Sequence, residues 1–255
     1  MRLVAEILEK LNEYFPFDTA LSYDNVGLLV GKPDQEVTKV MVALDASASA
    51  ALDAQQEGAQ LLITHHPVIF REIKKVTSES YTGCNVILLV EGGISNIALH
   101  TNYDRAQGGN NESFAKRLGA TKFTLLEDGF ATEFDLEEEM DFDDFVELVQ
   151  EVTEDPVIRT IRGSEYRVKK VIAACGAGIG EELIFHALKV GAVIVTADVK
   201  HNYATMIHDL GVSLVEPTHY GSEKCFVEDM CAFMEEHFPD LEVVACSANN
   251  NPYDD

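Results

Sequence analysis

Four short segments of the chain concentrate side chains that can bind metal ions or transfer protons. Each follows an apolar stretch typical of a buried strand. In chain order they contain His65 and His66; His100 and Asp104; Asp198, Lys200 and His201; and His219 and Glu223. The carboxyl ends of parallel strands are where α/β folds place their sites, so the four segments together indicate one functional region.

Each segment has a functional and a structural interpretation. Adjacent histidines on an extended segment point in opposite directions, so His65 and His66 could each bind a different metal ion, or one could pack at the core edge. His219 and Glu223 are four residues apart, which puts them on one helical face and lets them converge on an ion. Asp104 could be a ligand or could cap its loop. Asp198 could cap a helix over residues 201–210.

The combined donor set predicts a dinuclear centre. Three histidines, one aspartate and one glutamate suffice for two divalent cations, and paired metals about 3.5–4 Å apart typically share a carboxylate and a water molecule. Mixed imidazole and carboxylate ligation favours zinc, iron or manganese. Phosphate-binding loops and a serine nucleophile elbow are absent from the sequence. The five cysteines include no CxxC pair, so they indicate neither a disulfide framework nor a zinc knuckle.

Hydrophobic periodicity predicts the elements that must position these residues. A helix is expected over residues 3–15 and another over 50–58. Strands are expected over residues 26–30, 39–45, 59–64, 85–89 and 96–99. Apolar strands that alternate with helices predict an α/β fold with mainly parallel sheets.

The second half of the chain repeats part of this pattern. Residues 170–176 resemble 39–45, and residues 191–196 match 58–64, which suggests a duplicated βαβ unit. We therefore expect two similar α/β lobes, with residues 1–125 carrying His65, His66 and Asp104. Residues 126–255 would carry His219 and Glu223, and their C-terminal segment could pack back on the first lobe.

The charge distribution limits the partners. The 255 residues include 44 acids and 19 Lys and Arg, giving a net charge of −25, which argues against stable binding to nucleic acid or to an anionic membrane. Fourteen acids and no Lys or Arg lie between Glu127 and Asp155, a run interpreted as a solvated face. Neither a signal peptide nor an apolar stretch of about 18 residues is evident, so a cytoplasmic protein is expected.

Several of these segments occur together in a known family. The chain contains YDNVGLLVG at 23–31, ITHHPVIF at 63–70, LHTNYD at 99–104, GGN at 108–110 and HYGSE at 219–223. In this order the segments resemble the GTP cyclohydrolase I type 2 homologue family, also described as dinuclear-metal-centre hexameric proteins. The resemblance covers nearly the whole chain. Two positions depart from the family pattern, with Tyr23 in place of Trp and Asp198 in place of Glu.

The resemblance implies a fold, an assembly and a ligand set. It implies a two-lobed α/β subunit in a homohexameric ring that encloses pairs of metal ions. Glu223 would bridge both ions, His66 and Asp104 would complete the shell of one, and His65 and His219 that of the other. His100 would lie close by.

The resemblance also implies an activity. In the cyclohydrolase reaction, water adds to C8 of the guanine ring of GTP and opens the imidazole. His100, Lys200 or His201 could transfer protons or hold the triphosphate. Two alternatives are a metal-dependent phosphoester hydrolase and a non-catalytic, ring-shaped interaction scaffold that binds metal.

Overall fold

The computed structural model describes residues 1–164, 167–248 and 251–253 of the chain. It divides into two compact units, each discontinuous in sequence. The first unit comprises Met1–Ala106 and Phe226–Asn250, and the second comprises Gln107–Cys225 and Asn251–Asp255. The expected α/β architecture in two lobes is confirmed.

Both units combine strands and helices. Residues 1–106 form β1 (Arg2–Leu3), α1 (Val4–Tyr14), β2 (Gly27–Val30), β3 (Glu36–Val37), β4 (Lys39–Asp45), α2 (Ala48–Gln56), β5 (Leu61–His66), α3 (Tyr81–Glu91), β6 (Ser95–Ala98) and α4 (Thr101–Asp104). Residues 107–224 form α5 (Asn110–Arg117), β7 (Thr124–Leu126), β8 (Ala131–Asp141), α6 (Phe142–Thr153), β9 (Arg159–Ile161), β10 (Arg167–Ala173), α7 (Glu181–Val190), β11 (Ala192–Val195), α8 (His201–Leu210), β12 (Leu214–Glu216) and α9 (His219–Glu223). The chain then forms α10 (Cys225–His237) and β13 (Glu242–Ala245).

Among the described residues, the first unit is built on a five-stranded sheet in the order β13-β4-β5-β6-β2. The pairings from β13 to β6 are parallel, and β2 closes the edge in the antiparallel direction. Met41 and Leu62 point to one face of this sheet, where they pack with alanines of α2 and with Leu89 of α3. The small alanine side chains of α2 let that helix lie close to the strands.

The second unit has a six-stranded sheet over its described residues, in the order β7-β8-β10-β11-β12-β9. The β10-β11 and β11-β12 pairings are parallel, whereas β8 and β9 join in the antiparallel direction. Successive strand residues face opposite sides, so Val171 and Val193 belong to one core and Ile172 and Ile194 to the other. Both units therefore contain the predicted strand–helix–strand arrangement with parallel strands, as β4-α2-β5 and as β10-α7-β11.

One predicted strand is wrong. Residues 85–89 lie inside helix α3, which begins after Ser80, whose hydroxyl accepts a hydrogen bond from the backbone N–H of Gly83. A short continuous apolar run is compatible with a buried strand and with a buried helix, and here the cap at Ser80 favours the helix.

The units divide at points other than the expected boundary near residue 125. Helix α5 packs in the second unit, because Phe114, Ala115 and Leu118 belong to the same core as Val171 of β10. Helix α10 and β13 lie in the first unit. This agrees with the expectation that the C-terminal segment could pack back on the first lobe. None of the helices in the described part of the chain combines the length and hydrophobicity needed to cross a bilayer.

Candidate metal centre

Three imidazole rings of the first unit meet beyond the ends of two neighbouring strands. His65 and His66 are the last residues of β5, and His100 follows β6, which pairs with β5 in parallel. A ring nitrogen of each lies within 4.8 Å of one from the other two. Asp104, the last residue of α4, has Oδ1 3.5 Å from Nε2 of His65. The sequence-predicted residues of this unit therefore do come together.

A hydrogen bond orients each of these rings through Nδ1. The acceptors, each 2.8 Å away, are the carbonyl oxygen of Leu99 for His65, Asp45 for His66 and Asp24 for His100. Carbonyl and carboxylate oxygens only accept, so Nδ1 carries the proton and, in the neutral ring, the lone pair lies on Nε2. This is the arrangement in which proteins present histidine to a metal ion.

The strand register explains one of these contacts. Asp45, the last residue of β4, is paired directly with His66 of β5. Sequence reasoning did not select Asp45, although its position as a polar residue at the end of a buried strand was a usable signal.

Asp24 is a buried carboxylate that supports the loop after β6. Burial alone would raise its pKa, but hydrogen bonds from His100 and Thr101 lower the pKa of Asp24 to about 2. Its second oxygen accepts bonds from both the backbone N–H and the hydroxyl of Thr101. Asp24 therefore fixes His100 and the start of α4, the helix that ends at Asp104.

The second unit contributes a histidine and a glutamate from one short helix. Thr218 caps α9 by accepting a bond from the N–H of Gly221. Nε2 of His219 lies 2.9 Å from Oε2 of the buried Glu223, which confirms that these two side chains share a helical face. On the other side of the ring, Nδ1 of His219 donates to Asp198 at 2.8 Å. Asp198 thus orients His219, and the residue at the N-cap position of α8 is Lys200 instead.

Gly176 makes room for this pair. It has a φ of 56°, and a Cβ added there would lie 2.2 Å from Oε1 of Glu223 and 3.1 Å from Nε2 of His219. Its N–H donates to Ser222 of α9, and its carbonyl oxygen accepts from Ala197 of the loop after β11. The glycine-rich segment after β10 therefore joins the two parts of the chain that carry His219 and Asp198.

Two buried carboxylates fix the loops around α9. Asp155 is 2% exposed and is the buried exception in the acidic run 127–155. It accepts bonds from the N–H and hydroxyl of Thr218 and from Asn251. Glu216, at the end of β12, accepts from the N–H of Val199 and pairs with Arg159.

The electrostatics of both donor sets fit a bound cation. Nε2 of His65 faces Asp104, and Nε2 of His219 faces Glu223, while the opposite nitrogen of each ring is already a donor. A lone pair directed at a carboxylate is repulsive, so each arrangement requires positive charge between the two groups. A proton on the ring or a metal ion supplies it, and imidazole with carboxylate is a donor set for zinc, iron or manganese.

Two further sequence-selected residues lie on the surface of the second unit. Lys200 and His201 are exposed at the start of α8. Neither side chain forms a hydrogen bond or an ion pair with the described residues, so both remain candidates for contact with a substrate.

Comparisons with known proteins identify the family of the chain. The family model described as Duf34/NIF3 (NGG1p interacting factor 3) matches residues 2–252. A Helicobacter pylori protein named GTP cyclohydrolase 1 type 2 is 34% identical over 227 residues, with 89% of each chain covered. A Clostridium perfringens homologue of that enzyme is 26% identical, with 98% of each chain covered.

Solved structures give the same result. A Staphylococcus aureus hypothetical protein superposes with a TM-score of 0.91 at 26% identity, covering 98% of both chains. Methanocaldococcus jannaschii HcgD, in its reduced form, superposes with a TM-score of 0.84 at 25% identity, covering 96% of this chain and 98% of its own. By sequence and by fold, the chain belongs to the DUF34/NIF3 family, which includes the proteins named GTP cyclohydrolase 1 type 2.

Proposed function

We propose that this protein is a hydrolase that depends on two divalent cations and acts on GTP in the manner of a GTP cyclohydrolase 1 type 2. The ligands would be His65, His66 and Asp104 from the first unit and His219 and Glu223 from the second. The observation that carries the proposal is the pair of imidazole nitrogens aimed at carboxylates, with both rings fixed from behind.

Five protein ligands shared by two ions leave coordination positions open, which favours a catalytic centre over a closed structural one. Glu223, buried on α9, would contact both ions. Bound cations would supply Lewis acidity and lower the pKa of a water molecule at the site.

The chain's own residues position the reactants. Hydrolysis adds water to C8 of the guanine ring and breaks a C8–N bond, and the leaving nitrogen takes up a proton. His100, fixed through Nδ1 by Asp24, presents Nε2 as a group that can transfer that proton. Lys200 and His201 are exposed and carry side-chain nitrogens that can donate, so they are candidates for proton transfer or for contact with the substrate.

Elemental analysis of gently purified protein tests the cation content. Wild type should carry about two equivalents of zinc, iron or manganese per chain, and Glu223→Ala should lose both, because its carboxylate would bridge them. Asp104→Ala should lose mainly one. Glu147→Ala, an exposed glutamate of α6, is the matched control and should keep both. Unchanged metal content in Glu223→Ala contradicts the bridging role.

Product analysis tests the reaction. Metal-loaded protein incubated with GTP should yield the ring-opened product, and Glu223→Ala should not. Cleavage of a chromogenic phosphodiester without ring opening would instead assign the site to phosphoester hydrolysis. Metal binding with neither activity would favour a scaffold.

The family resemblance also leads us to propose a homohexamer. Sedimentation of the intact protein measures this directly. A mass near six chains supports the assembly, and a mass near one chain of 28.1 kDa contradicts it.

A further inference from the structure

A cleft of about 400 Å³ opens beside His66 in the first unit. Its walls come from the segment that joins β5 to α3 and from the first turns of α3. Apolar side chains, including Val68 and Ile73, line it together with Phe70, Arg71, Asn85 and the carboxylates of Asp45 and Glu72. The cleft therefore places apolar, cationic and amide groups next to a proposed metal ligand, as small-molecule sites do.

An exposed aromatic ring, that of Phe70, lines this cleft, and the ring of Tyr23 contacts it. Phe70 is 40% exposed, and Tyr23 is 64% exposed. The two rings are edge to face with centroids 6.3 Å apart, and Phe70 also lies 5.9 Å from the ring of His100. Aromatic rings that expose this much surface beside a polar site suit a planar ring that can stack on them.

A buried amide in the cleft offers an acceptor. Asn85 is 2% exposed, and among the described residues its Oδ1 has no hydrogen-bond partner. A buried acceptor without a donor costs about 1–3 kcal/mol. Because Asn85 lines the cleft, a ligand with an N–H group would satisfy it there.

The segment beside the cleft is cationic in a strongly acidic protein. Residues 67–80 contain three cations, Arg71, Lys74 and Lys75, and two acids, Glu72 and Glu79, whereas the whole chain has a net charge of −25. All three cations are exposed, and none forms an ion pair with any residue that the structure describes. They are therefore available to an anionic group of a ligand.

A second cleft, of about 460 Å³, borders His219 in the second unit and is less suited to an anion. Two carboxylates line each cleft, but the cation of the second, Arg159, already pairs with Glu216, whereas Arg71 of the first forms no ion pair with any residue that the structure describes.

We propose that the cleft between His66 and Asn85 is the base-binding pocket for a purine nucleotide. The purine packs against Phe70 and donates an N–H of its six-membered ring to Asn85, while C8 points towards His66. The phosphates interact with Arg71, Lys74 and Lys75. That C8 is the reacting atom rests on the proposed function, whereas the pocket itself rests on the cleft, the rings, the amide and the charges.

Binding of GTP to the metal-loaded protein, measured by isothermal titration calorimetry, tests the pocket. Asn85→Leu removes the acceptor and should raise the Kd for GTP about tenfold, with metal content unchanged. Its Tm should be unchanged or higher, because a buried, unsatisfied acceptor has been replaced by an apolar group. Asn96→Leu is the control. The amide of Asn96 donates to Leu62 and Thr64, so this change should lower the Tm and leave the Kd unaltered.

Two further variants separate the base from the phosphates. Phe70→Leu should weaken the binding of guanosine and of GTP alike, whereas Phe70→Tyr should bind both as wild type does. Arg71→Gln should weaken the binding of GTP but not that of guanosine. An Asn85→Leu protein with a lower Tm and an unchanged Kd overturns the proposal, as does a wild type that binds neither GTP nor guanosine. The protein could bind GTP in a way that these variants change and yet lack metal or ring-opening activity. That result would support the pocket and contradict the proposed function.

Discussion

Nδ1 of His65 lies 2.8 Å from the backbone carbonyl oxygen of Leu99. His65 ends β5 and Leu99 follows β6, so the pairing of two neighbouring strands fixes the ring. The acceptor belongs to the backbone, and no side-chain substitution at position 99 removes it. The tautomer that presents Nε2 towards Asp104 is therefore a property of the sheet itself.

Replacing that ring should remove one metal ion. In His65→Leu, an apolar side chain of similar size fills the fully buried position, and the ring nitrogen Nε2 that would bind the metal is lost. We expect the loss of about one metal equivalent per chain by elemental analysis, with the far-ultraviolet circular dichroism spectrum retained. His208→Ala, an exposed histidine of α8, is the control and should keep the wild-type content. Equal metal content in wild type and His65→Leu would exclude His65 as a ligand.

Gly176→Ala should disturb the second donor set. A left-handed conformation costs a non-glycine residue about 1–2 kcal/mol, and at this position the new Cβ also collides with Glu223. Gly191 has a similar φ of 69° with no atom within 4 Å of an added Cβ. Gly191→Ala should therefore show only the conformational cost in urea unfolding. Gly176→Ala should be less stable still and should bind less metal. Identical behaviour of the two variants would show that the collision is relieved without consequence.

Asp198→Gly should weaken metal binding without unfolding the loop. Asp198 has a φ of 50°, which glycine adopts readily, and the change removes the acceptor that orients His219. Loss of such an orienting partner typically lowers metal affinity about 10- to 100-fold. Competition with a chromogenic chelator measures it. Asp209→Ala removes an exposed aspartate that contacts His208, a pair of the same chemistry elsewhere in the unit, and should leave the affinity unchanged. An Asp198→Gly affinity equal to wild type would contradict the orienting role.

Asp24 should make stability depend on pH in the acid range. Burial raises its pKa, but the hydrogen bonds from His100 and Thr101 outweigh burial and lower the pKa from 3.8 to about 2 in the folded chain. A lowered folded-state pKa stabilises the fold above about pH 4, and this contribution disappears as pH falls towards 2. It amounts to about 2 kcal/mol at neutral pH.

Urea unfolding of Asp24→Asn at several pH values checks this expectation. The variant should be less stable than wild type at pH 7, and the difference should shrink as the pH approaches 2. Asp18→Asn, at an exposed aspartate of the same unit, should show no such convergence. A difference that stays constant from pH 7 to pH 2 would mean that the Asp24 carboxylate does not titrate as described.

Periodicity predicted most of the elements because their burial follows it. The strand predicted over residues 39–45 has the same bounds as β4, and the helix predicted over residues 201–210 has the same bounds as α8. The strand predicted over residues 85–89 is wrong because the four consecutive apolar side chains after Asn85 carry no period, and the signal that distinguishes the helix is the cap at Ser80.

The ligand-type residues could be selected from sequence because they follow apolar strands. Their supporting partners could not. Asp45 depends on the register of β4 against β5, and Gly176 on a positive φ and on the position of Glu223. Both are properties of the folded backbone that local composition does not encode.

The return of the chain to its first unit affects the order of folding during synthesis. Strand β13 pairs with β4, and its residues are made about 200 positions later. A nascent chain that stops near residue 225 has nearly all of the second unit but leaves β4 as an open sheet edge without α10. Open edges recruit other strands, so a ribosome stalled at that point would carry an aggregation-prone half of the protein beside a nearly complete one.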